Sequence, residues 1–433
     1  MNRQIPLTGN TRRGSARLKH VLAGLVSGGT PDTNNDEYWA DGDEGVAWVA
    51  IGDMSTKALI AATEKRITES GLASKRLRVM PPGTLIYSMY ASMGHVAELA
   101  IPATFNQALL GFEFIADVAP SFVKWWLRHL QPLLLAEASS NTQDNLNADK
   151  VRNLPFPTLD IHVQTCIANY LDRETTRIDA LIAEKERMLA LLEEKRAALI
   201  SRVVTRGLDP GAPLKPSGQE WLGEIPMHWE IEPIKYLAVV GNGSTPSVEN
   251  ADYWDDEGYP WLNSSVVNVS PVMNASRFVT EAALRECHLP KIQPPAVLVG
   301  ITGQGKTRGM ASVLGVEATI NQHLAFIKPR TQELDTDFLC YLLGHAYAFL
   351  RSDSDGAGST KGAITCEKLA NMKIPVPPQG EQIEICARIK LSLDDSEPLR
   401  SEIQSSLNLL TERRSALITA AVTGQIPLEA MQT

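Results

Sequence analysis

The stretch LLEEKRAALISRVVT (Leu191–Thr205) returns as LLTERRSALITAAVT (Leu409–Thr423), 218 residues further along. The same offset relates NLPFP…Q (Asn153 to Gln164) to NMKIP…Q (Asn371 to Gln382). Upstream, GTPDTNNDEYW (Gly29–Trp39) matches STPSVENADYW (Ser244–Trp254), and TFNQALLGF (Thr104–Phe112) matches TINQHLAFI (Thr319–Ile327), both offset by 215. So small a drift over so long a span means one or two loop changes between copies. The chain is a tandem duplication, and its period far exceeds that of solenoid repeats, so each copy is a whole domain with an appended element.

Each copy reads as a mixed α/β globular part followed by a long helix. In the globular part, β-rich runs such as GTLIYSMY (Gly83–Tyr90) and AVLVGIT (Ala296–Thr302) lie between Gly, Pro and Asn turns. A short helix is predicted at Ser121–Leu135 and its counterpart at Asp337–Arg351, with Trp125 and Trp126 as core residues. Extended, proline-bounded segments, PFP (Pro155–Pro157) and IPVPP (Ile374–Pro378), end each part. From Val163 to about Arg206 no Pro or Gly interrupts the chain, and every seventh residue gives Leu171, Ile178, Lys185, Leu192 and Leu199. The second copy gives Ile389, Ser396, Ile403, Leu410 and Leu417. Such spacing predicts coiled-coil pairing, most simply of the two helices with each other. Pro398 predicts a break or kink in the second, with Ser396 as a cap on restarting. Between the copies, Thr205–Glu230 is rich in Gly and Pro yet carries Trp221, Leu222, Ile225 and Trp229, which predicts a linker pinned to the surface.

Composition narrows the function classes. The 433 residues are 44% hydrophobic and 21% charged, an ordinary globular composition. No apolar run is long enough for a membrane helix and no signal peptide is evident, so a cytoplasmic location is expected. The five cysteines show no metal-ligand or disulfide spacing, and a net charge of −9 argues against a uniformly basic surface while leaving room for a local basic groove.

GITGQGKT (Gly300–Thr307) fits G-x-x-x-x-G-K-[ST], the loop that cradles nucleotide phosphates. A strand before it is expected from AVLVGI. The required helix after it is not, because RGMASVLGVEATINQ reads as turn and strand. The first copy's equivalent, SMYASMGHVAEL (Ser88–Leu99), has no Lys. No [ND]-P-P-[YF] adenine-methyltransferase motif is present, and the nuclease-like match of Pro31-Asp32 with Glu193–Lys195 falls partly on the predicted long helix. A nucleotide-binding protein using residues 300–307 remains the alternative to a loop with another task.

The run VTRGLDPGAPLKPSGQEWLGEIPMHWEIEPIKYL, the GTP/STP…YW openings, the Gly-rich loops followed by NQ and the IPVPP…Q entry to a long helix resemble the DNA-specificity subunit of type I restriction–modification systems. The resemblance covers nearly the whole chain and both copies. It implies two target recognition domains separated by two antiparallel helices that form a coiled-coil spacer. It also implies a non-catalytic subunit that reads a split site in double-stranded DNA with no cofactor of its own. Two methyltransferase subunits and restriction subunits would join it, bringing S-adenosylmethionine, ATP and Mg²⁺ chemistry. On this reading, residues 1–14 are a flexible N-terminus, 15–157 the first recognition domain, 158–206 the first spacer helix and 207–230 the linker. Residues 231–377 are then the second recognition domain, 378–424 the second spacer helix and 425–433 the tail.

Affinity for DNA comes from cations on phosphates, and sequence reading from polar groups at base edges. The candidates in the first domain are Lys75, Arg76 and Arg78 of SKRLRV, with Tyr90 and His95 in the loop. In the second they are Gly303, Gly305, Lys306 and Arg308 of the Gly-rich turn, and Lys361 of GSTKG. Leu171, Ile178, Leu192, Leu199, Ile389, Ile403, Leu410 and Leu417 are assigned to the helix seam, and Ala198 and Ala420, with Ala197 and Ala421, to a small-residue face that docks the methyltransferases.

Overall fold

Each proline-bounded segment predicted to end a globular part is a strand that pairs with the beginning of the same part. Ser15–Arg17 runs antiparallel to Pro155–Pro157, and Glu230–Pro233 runs antiparallel to Lys373–Val376. The computed structural model that shows this describes residues 15–54, 58–90, 93–140, 146–303, 305–355 and 362–432. Candidates outside those ranges, Lys361 and residues 1–14, have no described position.

Between its closing strands each copy folds two sheets. The first copy has a five-stranded sheet in the order Leu22–Ser27, Leu109–Phe114, Leu85–Ser88, Val96–Leu99, Leu59–Ile60. Beside it lies a four-stranded sheet: Trp39–Ala40, Lys65–Ile67, Val46–Val49, Ala103–Phe105. The second copy repeats this with a four-stranded sheet (Ala238–Asn242, Leu324–Pro329, Ala296–Gly300, Ala311–Leu314) and a three-stranded one (Arg277–Val279, Trp254–Leu262, Thr319–Ile320). Even the parallel pairing recurs, with Trp48 opposite Thr104 and Trp261 opposite Thr319. The central strands read as unbroken apolar runs because both faces are covered. In Leu85–Ser88, Leu85 and Tyr87 face a helical core while Ile86 joins the core between the sheets. In Ala296–Gly300, Val297 and Val299 face the helical side and Ala296 and Leu298 the other.

The helices show where sequence expectation fails. Pro120–Ser140 is one helix, whereas its counterpart divides at Ala346 into Thr336–His345 and Tyr347–Asp355. Trp125 and Trp126 are core residues, and the Trp126 indole donates to the Pro155 carbonyl (2.6 Å). Each large apolar side chain buried there contributes about 1.5–3 kcal/mol. The long helices are Ile161–Arg206 and Gln379–Val422, roughly 65–70 Å each at 1.5 Å per residue. The predicted break at Pro398 is absent: the helix passes through it, and the Ser396 hydroxyl donates to the Leu393 carbonyl instead of capping a new start. Proline removes one N–H, and here the deprived carbonyl, on Asp394, belongs to an exposed residue that water can satisfy.

The chain divides into two compact units that do not follow the sequence order of the domains. One unit is Met1–Glu186 with Ser405–Thr433, and the other is Arg187–Gln404. Each unit therefore holds part of both long helices, and in each the two run antiparallel. In the first unit, Leu171 shares a core with Ile418, Ala421 and Val422, and Asp179 pairs with Arg414 (2.7 Å). In the second, Val203 and Val204 share a core with Ile385 and Ile389, and Glu193 pairs with Arg400 (3.2 Å). Leu171, Ile178, Ile389 and Ile403 are buried, and Leu192, Leu199, Leu410 and Leu417 half-buried, as a heptad seam requires. Of the residues assigned to the small-residue face, Ala421 does not belong to it, being inside the first unit's core, while Ala198 is exposed and Ala420 half-buried.

The linker does more than lie on a surface. Leu214–Pro216 pairs with Glu224–Pro226, and Leu222, Ile225 and Trp229 enter the second unit's core. In the first unit, Met431 from the tail is buried in the corresponding core. The repeated Gln of P…Q fastens each long helix to its domain. Gln164 accepts from the Ala119 amide and donates to the Leu159 carbonyl; Gln382 accepts from the Asp335 amide and donates to the Glu333 and Pro377 carbonyls. Both glutamines are buried and bonded at both the oxygen and the amide, so they orient the helix start.

Candidate nucleic-acid interface

Three loops meet at one surface of the second domain. The Gly-rich turn joins antiparallel strands Ala296–Gly300 and Ala311–Leu314, so no helix follows it. The hairpin is closed by Gly309 N–H to the Gly300 carbonyl (2.8 Å) and Gly300 N–H to the Met310 carbonyl (2.9 Å). Behind it, the helix Tyr347–Asp355 holds the turn by its carbonyls: the Tyr347 hydroxyl donates to Lys306 O (2.8 Å) and Arg351 Nη1 to Gly305 O (2.6 Å). A phosphate loop presents N–H groups at a helix N-terminus, and this turn runs into a strand instead of a helix. Gly303 has φ +112°, open only to glycine, and a side chain at Gly303 or Gly305 would meet nothing within 4 Å. Lys306 is exposed beside them. Arg308, expected to reach outward with it, is 4% exposed, because the hairpin has already turned back against Tyr347 and Arg351 at Gly309.

The second loop is N-Q-H (Asn321–His323), and the third is S-T-P (Ser244–Pro246). The Ile301 amide donates to the His323 carbonyl (2.9 Å), and Thr302 Oγ1 bonds His323 Nδ1 (2.6 Å). Gln322 Nε2 lies 3.4 Å from His323 Nε2, and the Thr245 hydroxyl donates to Gln322 Oε1 (2.6 Å). Thr302, His323, Gln322 and Thr245 thus form one line of polar side chains that begins on the hairpin carrying Lys306.

The first domain assembles the same parts with different ends. The Met89 amide donates to the Ala108 carbonyl (2.9 Å), as Ile301 does to His323, and the Thr30 hydroxyl donates to Gln107 Oε1 (2.5 Å). Its hairpin turn is held from the helix behind by Gln131 Nε2 to the Met93 carbonyl (3.1 Å), and by Ser88 Oγ to the Tyr90 carbonyl (2.8 Å). Tyr90 is 41% exposed and His95 half-buried. The basic run follows the helix Glu69–Ser74, where Arg76 takes φ 52° and the Leu77 amide closes on the Leu72 carbonyl (2.9 Å). This brings Lys75 and Leu77 against Gly29, next to Thr30. Lys75 and Arg76 are exposed, while Arg78 pairs with Glu113 (2.6 Å). Lys75, Thr30, Gln107 and Tyr90 therefore belong to one region, which sequence spacing alone does not reveal.

Both T-P loops are locked in the same way. Trp48 donates to the Gly29 carbonyl (2.9 Å) and Trp39 to Asp32 O (3.1 Å); Trp261 donates to Ser244 O (3.1 Å) and Trp254 to Ser247 O (3.0 Å). Each indole pair packs edge to face, at 5.2 and 5.3 Å between ring centroids. A cation covers the outer ring in each copy, Lys65 over Trp39 and Arg277 over Trp254. The residues missed by sequence reasoning are Thr30, Gln107, Thr245, Gln322, His323 and Thr302. Their signal was present, since Thr30/Thr245 and Gln107/Gln322 stand at the repeat offset.

Titration shifts lie away from these loops. Burial raises the Tyr87 hydroxyl and pushes the Cys340 thiol up to about 11, which keeps both neutral as packing groups. Among the described residues, no group of three or more His, Cys, Asp or Glu is placed to hold a metal ion, and no helix is long and apolar enough to cross a membrane.

The family model for the type I restriction modification DNA specificity domain matches twice, over residues 17–189 and 226–404. The chain belongs to that family. The two matches fall on the two copies, each including its domain and the first part of its long helix. The MjaIX specificity subunit of a type I restriction enzyme from Methanocaldococcus jannaschii is 24% identical over 423 residues, covering 94% of this chain and 92% of that protein. The MjaX specificity subunit from the same organism is 23% identical over 427 residues, with the same coverage. A solved chain from a type I restriction–modification assembly, studied for complex assembly and conformational transition, shares the fold with a TM-score of 0.71 at 17% identity, over 96% of this chain and 98% of that one. Membership gives the specificity family's duplicated domain as the reason for every paired contact above, and it gives no support to the nucleotide reading of Gly300–Thr307.

Proposed function

We propose that this chain is the sequence-specific DNA-binding subunit of a type I restriction–modification complex, each of its two domains reading one half of a bipartite site. The observation that carries the reading is the convergence, in both copies of a specificity-family domain, of an exposed hairpin turn, a T-P loop and an N-Q turn with exposed cations nearby. The chain itself is non-catalytic and cofactor-free. Two methyltransferase subunits supply S-adenosylmethionine chemistry, restriction subunits supply the ATP- and Mg²⁺-dependent steps, and the complex works in the cytoplasm. Exposed Ala198 belongs to the surface on which the methyltransferases dock. Selection from a randomised double-stranded DNA pool, with the chain assembled with its modification subunits, tests the reading: a split consensus supports it, and recovery of no consensus overturns it.

The long helices act as the spacer between half-sites. Inserting one heptad after Leu192 and another after Leu410 adds about 10 Å, or roughly three base pairs at about 3.4 Å each. The selected consensus should lengthen its central gap accordingly. An unchanged gap means that the helices do not set it.

A further inference from the structure

The Thr–Gln latch is an exposed polar feature of the reading surface that the two domains hold in common. Several of the exposed ends around it differ. The hairpin turn carries Lys306 in one domain and Tyr90 in the other, the turn after the short helix is Lys75-Arg76-Leu77-Arg78 in one and Cys287-His288-Leu289-Pro290 in the other, and Ala108 stands where the second domain has His323. Yet Thr30 to Gln107 and Thr245 to Gln322 have the same donor, the same acceptor and nearly the same length, 2.5 and 2.6 Å.

The latch is also rigid from beneath. A side chain at Gly28 would lie 2.1 Å from the Phe105 carbonyl oxygen, and one at Gly243 would lie 1.7 Å from that of Ile320, so each loop backbone rests directly on the N-Q turn. The turn is fixed in its own right, since Asn106 Oδ1 accepts from the Ala108 amide (3.1 Å) and Asn321 Oδ1 from the His323 amide (3.0 Å). Both glutamines are nevertheless exposed. Each carbonyl oxygen accepts from its threonine, and the Nε2 amide is the donor end of each exposed side chain. In the second domain Nε2 lies 3.4 Å from His323 Nε2.

Two domains that read different half-sites meet one thing in common, the sugar–phosphate backbone. Glutamine amides are among the groups that bind phosphate oxygens and set register without reading sequence. On the function proposed above, we infer that Gln107 and Gln322, each held by its threonine, donate from Nε2 to a DNA phosphate and form a matched pair of register clamps. Because the donor is neutral, it displaces no counterion, so the contact adds affinity without adding to the salt dependence.

The test uses the full-length chain assembled with its modification subunits, titrated with a fluorescent duplex carrying the site and with a scrambled duplex. Gln→Ala at both positions removes the donor, and affinity should fall by about tenfold on both duplexes with an unchanged salt slope. Gln→Glu keeps the oxygen that accepts from threonine but replaces the donor by a negative charge facing phosphate. It should therefore bind more weakly than Gln→Ala, whereas a purely structural latch would be rescued by Glu. Gln→Met, neutral and of similar length, should match Gln→Ala and serves where Glu disturbs folding; thermal melting checks each variant. Glu variants that bind like wild type overturn the inference. So does a loss confined to one base pair of one half-site, or a loss of modification-subunit assembly with DNA affinity intact. Failure of the wild-type assembly to bind any duplex would instead overturn the parent reading and this one together.

Discussion

The two hairpin turns, residues 89–95 and 301–310, begin from equivalent strands and are anchored to equivalent neighbours, yet they end as different instruments. The first is short, and among its described residues the exposed side chain is an aromatic, Tyr90. The second is longer, glycine-rich and basic at Lys306. The charge missing from the first turn reappears in the same domain on the Lys75–Arg76 turn, where the second domain has Cys287 and His288 with the same left-handed residue, His288 at φ 50°. A duplicated scaffold thus keeps its buried hydrogen bonds and moves its charge among exposed loops. That is the division expected of a reader whose frame must be constant and whose target must vary.

The largest effect should come from exchanging what varies. Replacing residues 15–157 by the corresponding domain of a relative should change one half of the selected site and leave the other intact; change in both halves would break the comparison at its root. A smaller effect should follow Lys75→Ala combined with Arg76→Asn, asparagine being tolerant of the left-handed backbone. Affinity should fall on all sequences and the salt slope by about two units, one per cation removed. Lys306→Ala should lower the slope by about one unit and leave ATP without influence. Lys306-dependent micromolar ATP binding in an equilibrium titration would restore the nucleotide reading. The smallest effect concerns what stays constant. Trp48→Phe and Trp261→Phe each lose one indole hydrogen bond to a T-P loop, and each should cost about 1–2 kcal/mol in urea unfolding followed by circular dichroism. Unequal costs would show that the two frames are not equivalent.

Most of the frame was legible because it is local or periodic. Apolar runs gave the central strands, the seven-residue spacing gave Leu171, Ile178, Ile389 and Ile403 as buried seam, and the repeat itself gave two domains. The strand after GITGQGKT was also readable from its Val and Gly content. What escaped depends on distant partners. Arg308 and Lys306 are indistinguishable as neighbouring cations in sequence, and only the packing of Gly309 on Tyr347 and Arg351 buries one and exposes the other. Pro398 forecast a break or kink, and there is no break, because the price of one lost hydrogen bond on an exposed face is too small to stop a helix held by its seam. The latch residues stand in the sequence as repeat positions and not as partners, since Thr30 and Gln107 are brought together by the antiparallel pairing of Leu22–Ser27 with Leu109–Phe114 and by the Gly29 amide on the Phe105 carbonyl.

The core of the first domain is completed by Ile418, Ala421, Val422 and Met431, contributed from the far side of the second domain in sequence. During synthesis the first domain therefore leaves the ribosome before the residues that cover this flank in the finished fold, and its native cover arrives only after the second domain has been made. Folding order is then the reverse of synthesis order at this face: the half that is made first is finished last. A chain stalled or cleaved after the second domain would carry a reader with an open seam, a state that chaperones and proteases recognise, so the arrangement links the stability of one reading head to the completed translation of the other.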